Sequence, residues 1–534
     1  MDKRTVVFFD KQAREKLKKG LDIAAKAVVS TMGPKGKNVL IQKSDGTVPL
    51  VTKDGVTVSK SISLKDPVER MGADLIKEAS GRTNDVAGDG TTTATALTHG
   101  LVSEGLKLMA AGYPGVEIKK GIEKGCKVVI DSLKKMAVPV KDTEDIIRVG
   151  TISANGDRHV GEMIGSAMSA VGLDGIITVE EATGMTTTMS VVEGMQFERG
   201  YVSPHFATNA EKMVATYTDA LVLITDKKVS DIQDIVPILE KVQRSGKALL
   251  LIADEVEGSA LHGLIINKMH SQLKVVAIKA PGFGTLRDNL LSDIAVLTGG
   301  KVVSDKFGTS FKTISIEELG KAKKFTVDAK TTTIVGTGAT TEAVAERVAG
   351  LKSQLEDVTL SDDDAHVLKQ RAAKLSSGVA VIKVGGPTEV EMREKKDRIV
   401  DALNATAAAV EEGVLPGGGT ALLRAMEELN ALISDESDAA VRSGLKAVKQ
   451  TCEWPLRCII SNAGGSPDVI ISKLKEREGL TVGWDAAKGE IVDMIEAGVL
   501  DPLKVTRTAL ENAASVASTF LTLDAVITFE EDEE

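Results

Sequence analysis

The chain reads as a multidomain α/β protein, with an α/β domain inserted into a mainly helical one. Three observations carry this reading. At 534 residues the chain exceeds a single core, since domains run to roughly 100–200 residues. Both ends place apolar residues at helical spacing, whereas the middle alternates short β-rich runs with helical stretches. Aromatic residues make up only 3% of the chain, so its cores must be aliphatic.

Residues 11–32 set Leu17, Leu21, Ala24, Ala25 and Val28 at helical spacing, and Met32-Gly33-Pro34-Lys35-Gly36 stops that helix. Asn38–Gln42 and Pro49–Thr52 read as short strands, and helical patterns then dominate from Asp66 to Met136. Further on, Leu221–Thr225, Ala248–Ala253, Lys274–Ala280 and Lys301–Ser304 are apolar, β-rich runs. Helical patterns lie between them at Asp231–Ser245, Val256–Gln272 and Arg287–Thr298. Such alternation predicts a parallel sheet with right-handed crossovers. A charged helical pair at about 340–374 and the run Gly378–Gly386 precede a return to long Ala-rich helices.

Composition narrows the function. With 43% hydrophobic and 27% charged residues, disorder is excluded as the dominant state. A net charge of −10 argues against nucleic acid as the main ligand. The three cysteines Cys126, Cys452 and Cys458 form no disulfide framework and no CxxC pair, and the histidines show no HExxH spacing. No stretch approaches the ~20 apolar residues of a membrane span, and Met1–Thr5 begins no apolar signal segment. A cytoplasmic protein with no membrane partner is expected.

The most informative segment is Val86-Ala87-Gly88-Asp89-Gly90-Thr91-Thr92-Thr93-Ala94-Thr95. Glycines let a backbone approach polyphosphate closely, a helix N-terminus offers free N–H groups, and a carboxylate suits magnesium. An N-capped helix explains the same residues equally well. No GxxxxGK[ST] motif occurs, so any nucleotide site is not of the Walker type. Thr31–Lys37 and Thr52-Lys53-Asp54-Gly55 read singly as ordinary turns. Gly417-Gly418-Gly419 runs directly into a helix, which favours a nucleotide-cradling turn over a linker. Asp401 lies on a helical pattern and reads by itself as a solvated acid.

Taken together these segments resemble the group I chaperonins, the GroEL-like family, along nearly the whole chain. The matches include Thr31–Lys37, Thr52–Gly55, Ala87–Thr95, Gly150–Asn155, Val191–Phe197, Lys279–Gly284, Glu389–Lys396, Gly417–Gly419 and Leu500-Asp501-Pro502. The resemblance implies an equatorial ATP-binding domain at 1–135 and 411–534. It implies an intermediate hinge at 136–192 and 379–410, and an apical domain at 193–378. It further implies ATP contacts from Thr31, Met32, Gly33, Pro34, Lys53, Asp89, Gly90, Thr91, Thr92, Thr93, Gly418, Asp485, Ala487 and Asp501. Asp89 would hold Mg2+, and backbone carbonyls of Thr31 and Lys53 a K+ ion. Asp54 and Asp401 would activate the attacking water.

In the apical domain the resemblance makes Tyr201, Phe206, Val236, Leu239, Leu261, Ile265 and Ile266 the rim. That rim would capture unfolded polypeptides and a GroES-type co-chaperonin. Periodicity by itself gives Leu261, Ile265 and Ile266 one helical stripe, which a buried core explains better. Arg199 and Glu389 match an intersubunit ion pair in a homo-oligomer of seven-membered rings. The implied function is ATP-dependent chaperone action on non-native polypeptides in a ring cavity. The alternatives are a ring-forming holdase with weak or uncoupled ATPase, and a metabolic kinase or ligase. Retention of Asp54, Asp89 and Asp401 speaks against the holdase, and the absence of a small-substrate motif against the kinase.

Four departures from the family pattern stand out. His205 replaces a rim tyrosine, and Trp484-Asp485-Ala486-Ala487 replaces Tyr-Asn-Ala-Ala near the adenine. The chain ends in Phe529–Glu534 without a Gly-Gly-Met tail. Gly464-Gly465-Ser466-Pro467 replaces Gly-Glu-Glu-Pro, which removes the opposite ring's carboxylate partner for Arg457 and predicts weaker ring–ring association. Resemblance is also thin at 430–441.

Overall fold

A computed structural model describes residues 5–42, 49–140, 142–154, 156–172, 176–182, 184–192, 194–209, 213–270, 273–337, 341–354, 362–376 and 378–529. Asn155, Glu193 and the acidic end 530–534, all singled out in the sequence, lie outside the described residues. The chain divides into two compact units. The first takes both chain ends, up to Ser166 and from Val384, with Glu181–Thr187; the second takes Ala167–Glu180 and Thr188–Lys383.

The first unit opens with strand β1 (Thr5–Phe9), helix α1 (Asp10–Val29) and the hairpin strands β2 (Val39–Ile41) and β3 (Leu50–Thr52). Helices α2 (Gly55–Ser61), α3 (Pro67–Ala87), α4 (Thr91–Ala110), α5 (Gly115–Met136) and α6 (Thr143–Ser153) follow. Asp66 starts α3 by accepting from the N–H groups of Val68 and Glu69, with Pro67 preset for the first turn. The predicted apolar stripe of α1 is fully inside: Leu17, Leu21, Ala24, Ala25 and Val28 are all buried, and the first four share a core with Leu97, Leu101, Ile118 and Ile122.

Helix α7 (Arg158–Val171) and strand β4 (Ile176–Glu181) cross between the units. The second unit then runs β5 (Thr188–Val192), β6 (Gly194–Phe197), β7 (Ala215–Thr225), β8 (Lys228–Val229), α8 (Ile232–Ser245), β9 (Ala248–Ala253) and β10 (Glu255–Val256). It continues with α9 (Gly258–Met269), β11 (Val275–Lys279), α10 (Gly284–Thr298), β12 (Val302–Val303), β13 (Gly320–Val327) and β14 (Thr332–Thr337). Helices α11 (Thr341–Gln354) and α12 (Asp362–Ser376) and strand β15 (Val379–Val384) complete it.

Its main sheet has the order β11-β9-β7-β13-β14-β6, with β12 beside β7. The crossovers through α8 and α9 join parallel strands as predicted, and every residue of β9 is buried, as a central parallel strand requires. The other half corrects the all-parallel reading. β13 is antiparallel to both β7 and β14, and β14 is antiparallel to β6. A tight turn joins β13 to β14, with Asp328 accepting from the N–H groups of Lys330 and Thr331. So short a connection permits only antiparallel pairing. Asp293, fully buried on α10, is held by Arg371 at 2.7 Å and Arg347 at 2.8 Å, which ties α11 and α12 to α10.

The chain then re-enters the first unit with α13 (Glu389–Glu412), β16 (Val414–Pro416), α14 (Thr420–Ala425), α15 (Leu429–Asp435), α16 (Ala439–Thr451), α17 (Trp454–Asn462) and α18 (Pro467–Lys475). It closes with β17 (Val482–Asp485), β18 (Glu490–Asp493), β19 (Leu500–Pro502), α19 (Leu503–Leu521) and β20 (Ala525–Phe529). The two chain ends meet directly, since β1 pairs antiparallel with β20 from Thr5↔Phe529 to Phe9↔Ala525. The cysteines are free, and among the described residues no helix is long and apolar enough to cross a membrane.

Candidate functional site

The Gly-Asp-Gly segment is the junction of two long helices. Gly88 ends α3 in the left-handed conformation at φ +70°, and Gly90 begins α4 at φ +85°. Only glycine takes that backbone shape without strain. No side chain caps α4, and Asp89 accepts from the N–H of Gly90 rather than from the first turn of α4. The N-cap explanation of Asp89 therefore fails. What remains is a helix N-terminus with its free N–H groups and positive dipole end, beside the hydroxyls of Thr91, Thr92 and Thr93.

Asp54 arrives from the β2–β3 hairpin and is itself a cap. Its carboxylate accepts from Val56 N–H at 3.1 Å, Thr57 N–H at 2.8 Å and the Thr57 hydroxyl. The turn thus starts α2 rather than closing a hairpin. Gly55 brings it to the phosphate-binding candidate: a Cβ there would lie 2.5 Å from Thr92 Oγ1 and 2.9 Å from Thr91 Oγ1. That Cβ would also lie 3.3 Å from Val28 Cγ1, in the last turn of α1 before Thr31. Thr31 and Met32 are buried, Pro34 is exposed, and Gly33 turns at φ +82° against Ile459.

The C-terminal half supplies the facing wall. Strands β16 and β19 pair with Leu415 opposite Asp501, and Gly417 N–H donates to Val499 O at 2.8 Å. Gly418 and Gly419, both at positive φ, donate their N–H groups to the Asp501 carboxylate. Asp401 projects from α13. Desolvation and the charges of Asp89 and Asp54 push its pKa well above the carboxylate range. Desolvation likewise raises Asp89, with Asp54 adding to it. Asp501 rises to about 6 for the same first reason, with Asp89 next. Four carboxylates from four chain segments therefore repel one another in a protein-walled site. Among the described residues no group of three or more His, Cys, Asp or Glu side chains could hold a metal ion by itself, so a hard cation here would need oxygens from a polyanion as well. A separate groove of about 400 Å3 is lined by Asn38, Val51, Thr52, Lys53, Thr388, Glu391 and Glu394, and none of the four carboxylates lines it.

Asp485 is held locally. Its carboxylate accepts from Ala487 N–H at 2.9 Å and Lys488 N–H at 3.2 Å, holding the β17–β18 turn. Both bonds use Oδ1, and the side chain is only 5% exposed. Ala487 sits exposed in that turn. Two residues escaped the sequence reading. Asn462 clamps the nucleotide-loop candidate by donating to Val29 O and Met32 O, both at 2.9 Å. Asn404 donates to Gly88 O at 3.2 Å. A polar amide ending the apolar run of α17 was the available signal for Asn462.

The rim expected in the second unit needs a larger correction. Phe206 is 0% exposed and Leu239 is buried, both inside the sheet core. Tyr201, Leu261 and Ile265 are half-buried against that core, Tyr201 donating its hydroxyl to Met213 O. Val236 is half-buried as well. Ile266 is exposed at 51%, and Met269, one turn on and missed in the sequence, at 68%. Lys268 holds the turn at 204–207 by donating to His205 O and Ala207 O, while His205 is exposed.

Arg199 lies over the Phe283 ring at 5.5 Å, and Glu389 pairs with Arg393 at 2.7 Å. Arg457 is not an orphan cation, because Glu453 and Asp468 of its own chain hold it at 2.9 and 2.7 Å.

Two comparisons agree with this architecture. The chain is similar to chaperonin gp146 from bacteriophage EL 2 (Pseudomonas aeruginosa), crystallised in the presence of ATP-BeFx. Identity is 24%, covering 98% of this chain and 100% of that one, at a TM-score of 0.68. A second crystal form of gp146 matches at 24% identity, 98% and 99% coverage and a TM-score of 0.62. These likenesses show a shared, GroEL-like fold. The profile of the TCP-1/cpn60 chaperonins matches residues 24–531. With nearly the whole chain matched, the protein belongs to the TCP-1/cpn60 chaperonin family.

Proposed function

We propose that the protein is an ATP-hydrolysing chaperonin that captures non-native polypeptides and promotes their folding in a homo-oligomeric ring. The observation that carries this is the convergence of Asp54, Asp89, Asp401 and Asp501 at the uncapped N-terminus of α4. Crystallisation of the similar gp146 with an ATP analogue supports a nucleotide there. In this reading residues 1–135 and 411–534 hold the nucleotide, and 136–192 with 379–410 form the hinge. Residues 193–378 bind clients and a GroES-type co-chaperonin.

Amides and hydroxyls of Gly90, Thr91, Thr92 and Thr93 bind the phosphates, as a helix N-terminus suits. Thr31, Met32, Gly33, Pro34, Lys53, Gly418 and Ala487 contact the rest of the nucleotide. Asp89 holds Mg2+, and the carbonyls of Thr31 and Lys53 hold K+. Bound magnesium supplies positive charge to the phosphates during cleavage. Asp54 and Asp401 orient the attacking water and take its proton. Phosphate release should require Mg2+ and should change with denatured client; client binding without turnover would favour the holdase instead.

A further inference from the structure

We infer that Asn404 is a positioning residue for this hydrolysis, a reading that rests on the proposed function. Asn404 Nδ2 donates to the carbonyl of Gly88 at 3.2 Å. Gly88 is the cap of α3 and immediately precedes Asp89, so its carbonyl is one of the groups a helix end leaves without an intrahelical partner. The contact is also steric. A Cβ on Gly88 would lie 2.5 Å from Asn404 Cβ and 2.6 Å from Cγ, so the loop backbone rests directly on this side chain. Asp401 stands three residues earlier on α13, on the same helical face. Ala408, one turn later, packs with Ala87 and Val505 and continues that face onto the base of the loop.

One amide therefore ties the backbone that carries Asp89 to the helix that carries Asp401. The two acids gain a fixed separation without either being touched by Asn404. Moving α13 away from the loop would break this bond and withdraw Asp401 in the same motion. Asn404 thus acts on the geometry of water attack and not on nucleotide affinity.

The test uses the full-length chain and Asn404→Ala, with Ala407→Ser on the exposed face of α13 as control. Expected for Asn404→Ala is a tenfold to hundredfold lower kcat for MgATP, because small misplacements of reacting groups cost that much. KM should stay within about threefold and the thermal midpoint close to wild type. In nucleotide-free protein, hydrogen exchange of the 84–92 segment should speed up in Asn404→Ala and not in Ala407→Ser. Wild-type kcat, or kcat and KM degraded together with a lowered midpoint, would overturn the assignment. Unchanged exchange would overturn it independently of turnover. A wild-type protein that fails to hydrolyse MgATP would instead sink the ATPase reading, with the exchange result still deciding the contact.

Discussion

Replacing Asp501 by Asn should stabilise the nucleotide-free protein at pH 8 and hardly at all near pH 4. Asp501 rises from 3.8 to about 6, driven by desolvation and by Asp89, despite the N–H groups of Gly418 and Gly419. A raised folded pKa means that the native state binds the proton more tightly than the unfolded chain. Wild type therefore loses stability as pH climbs from about 3.8 through 6, and the whole penalty is present above 6. About two units correspond to roughly 3 kcal/mol at ~1.4 kcal/mol per unit. Asn keeps an acceptor for the two glycine N–H groups and removes the charge. In a unit this large the gain amounts to a few degrees of thermal midpoint, at ~2 °C or less per kcal/mol. Midpoints of both proteins at pH 4, 6 and 8, without nucleotide, give the answer. A difference that is the same at all three pH values, or a variant less stable at pH 8, would refute the electrostatic argument.

Asp401→Ala should bind ATP within a fewfold of wild type yet hydrolyse it about 10²–10⁴-fold more slowly, the usual worth of a general base, as read by nucleotide binding and phosphate release. Glu412 is held below its usual 4.5 by its hydrogen bond from Arg507, so its contribution is present above 4.5 and lost as pH falls below that value. Glu412→Gln should therefore lose about 1–3 kcal/mol at pH 7, with the gap from wild type beginning to shrink only below pH 4.5 and narrowing as pH falls further in thermal unfolding. Ile266→Ser should leave the midpoint unchanged while lowering retention of a denatured client. Phe206→Ala should instead cost about 3–5 kcal/mol, since it empties a core position. With Arg457 engaged by Glu453 and Asp468, negative-stain images at low concentration with ATP should show single or dissociating rings; only stable double rings would contradict this.

The site was more legible than its supports. Gly88, Asp89 and Gly90 declare themselves because two left-handed turns around one acid need that residue pattern, and the structure puts both there. Asp54 and Asp401 looked bland singly, since their meaning lies in a convergence between segments more than 300 positions apart in the chain. Asn404 was invisible for the same reason: a half-buried amide on a helix carries no periodic signal. In the sheet, β13 was readable from the alternation of Gly320–Val327, yet short apolar runs drew the reading toward parallel strands. Phe206 and Leu239 came to the rim from the resemblance alone, which carries a position across but not its exposure, and both lie in the sheet core. Asp485 also has a local role that the sequence did not show, since its Oδ1 accepts from the N–H groups two and three residues ahead.

Phosphate release from ATP by the purified full-length protein, measured with Mg2+ and again with EDTA, bears most directly on the proposed ATP site at Asp54, Asp89 and Asp401. Steady turnover in Mg2+ that stops in EDTA and in Asp401→Ala is the expected result. No turnover in Mg2+, or equal turnover in EDTA, would contradict the account.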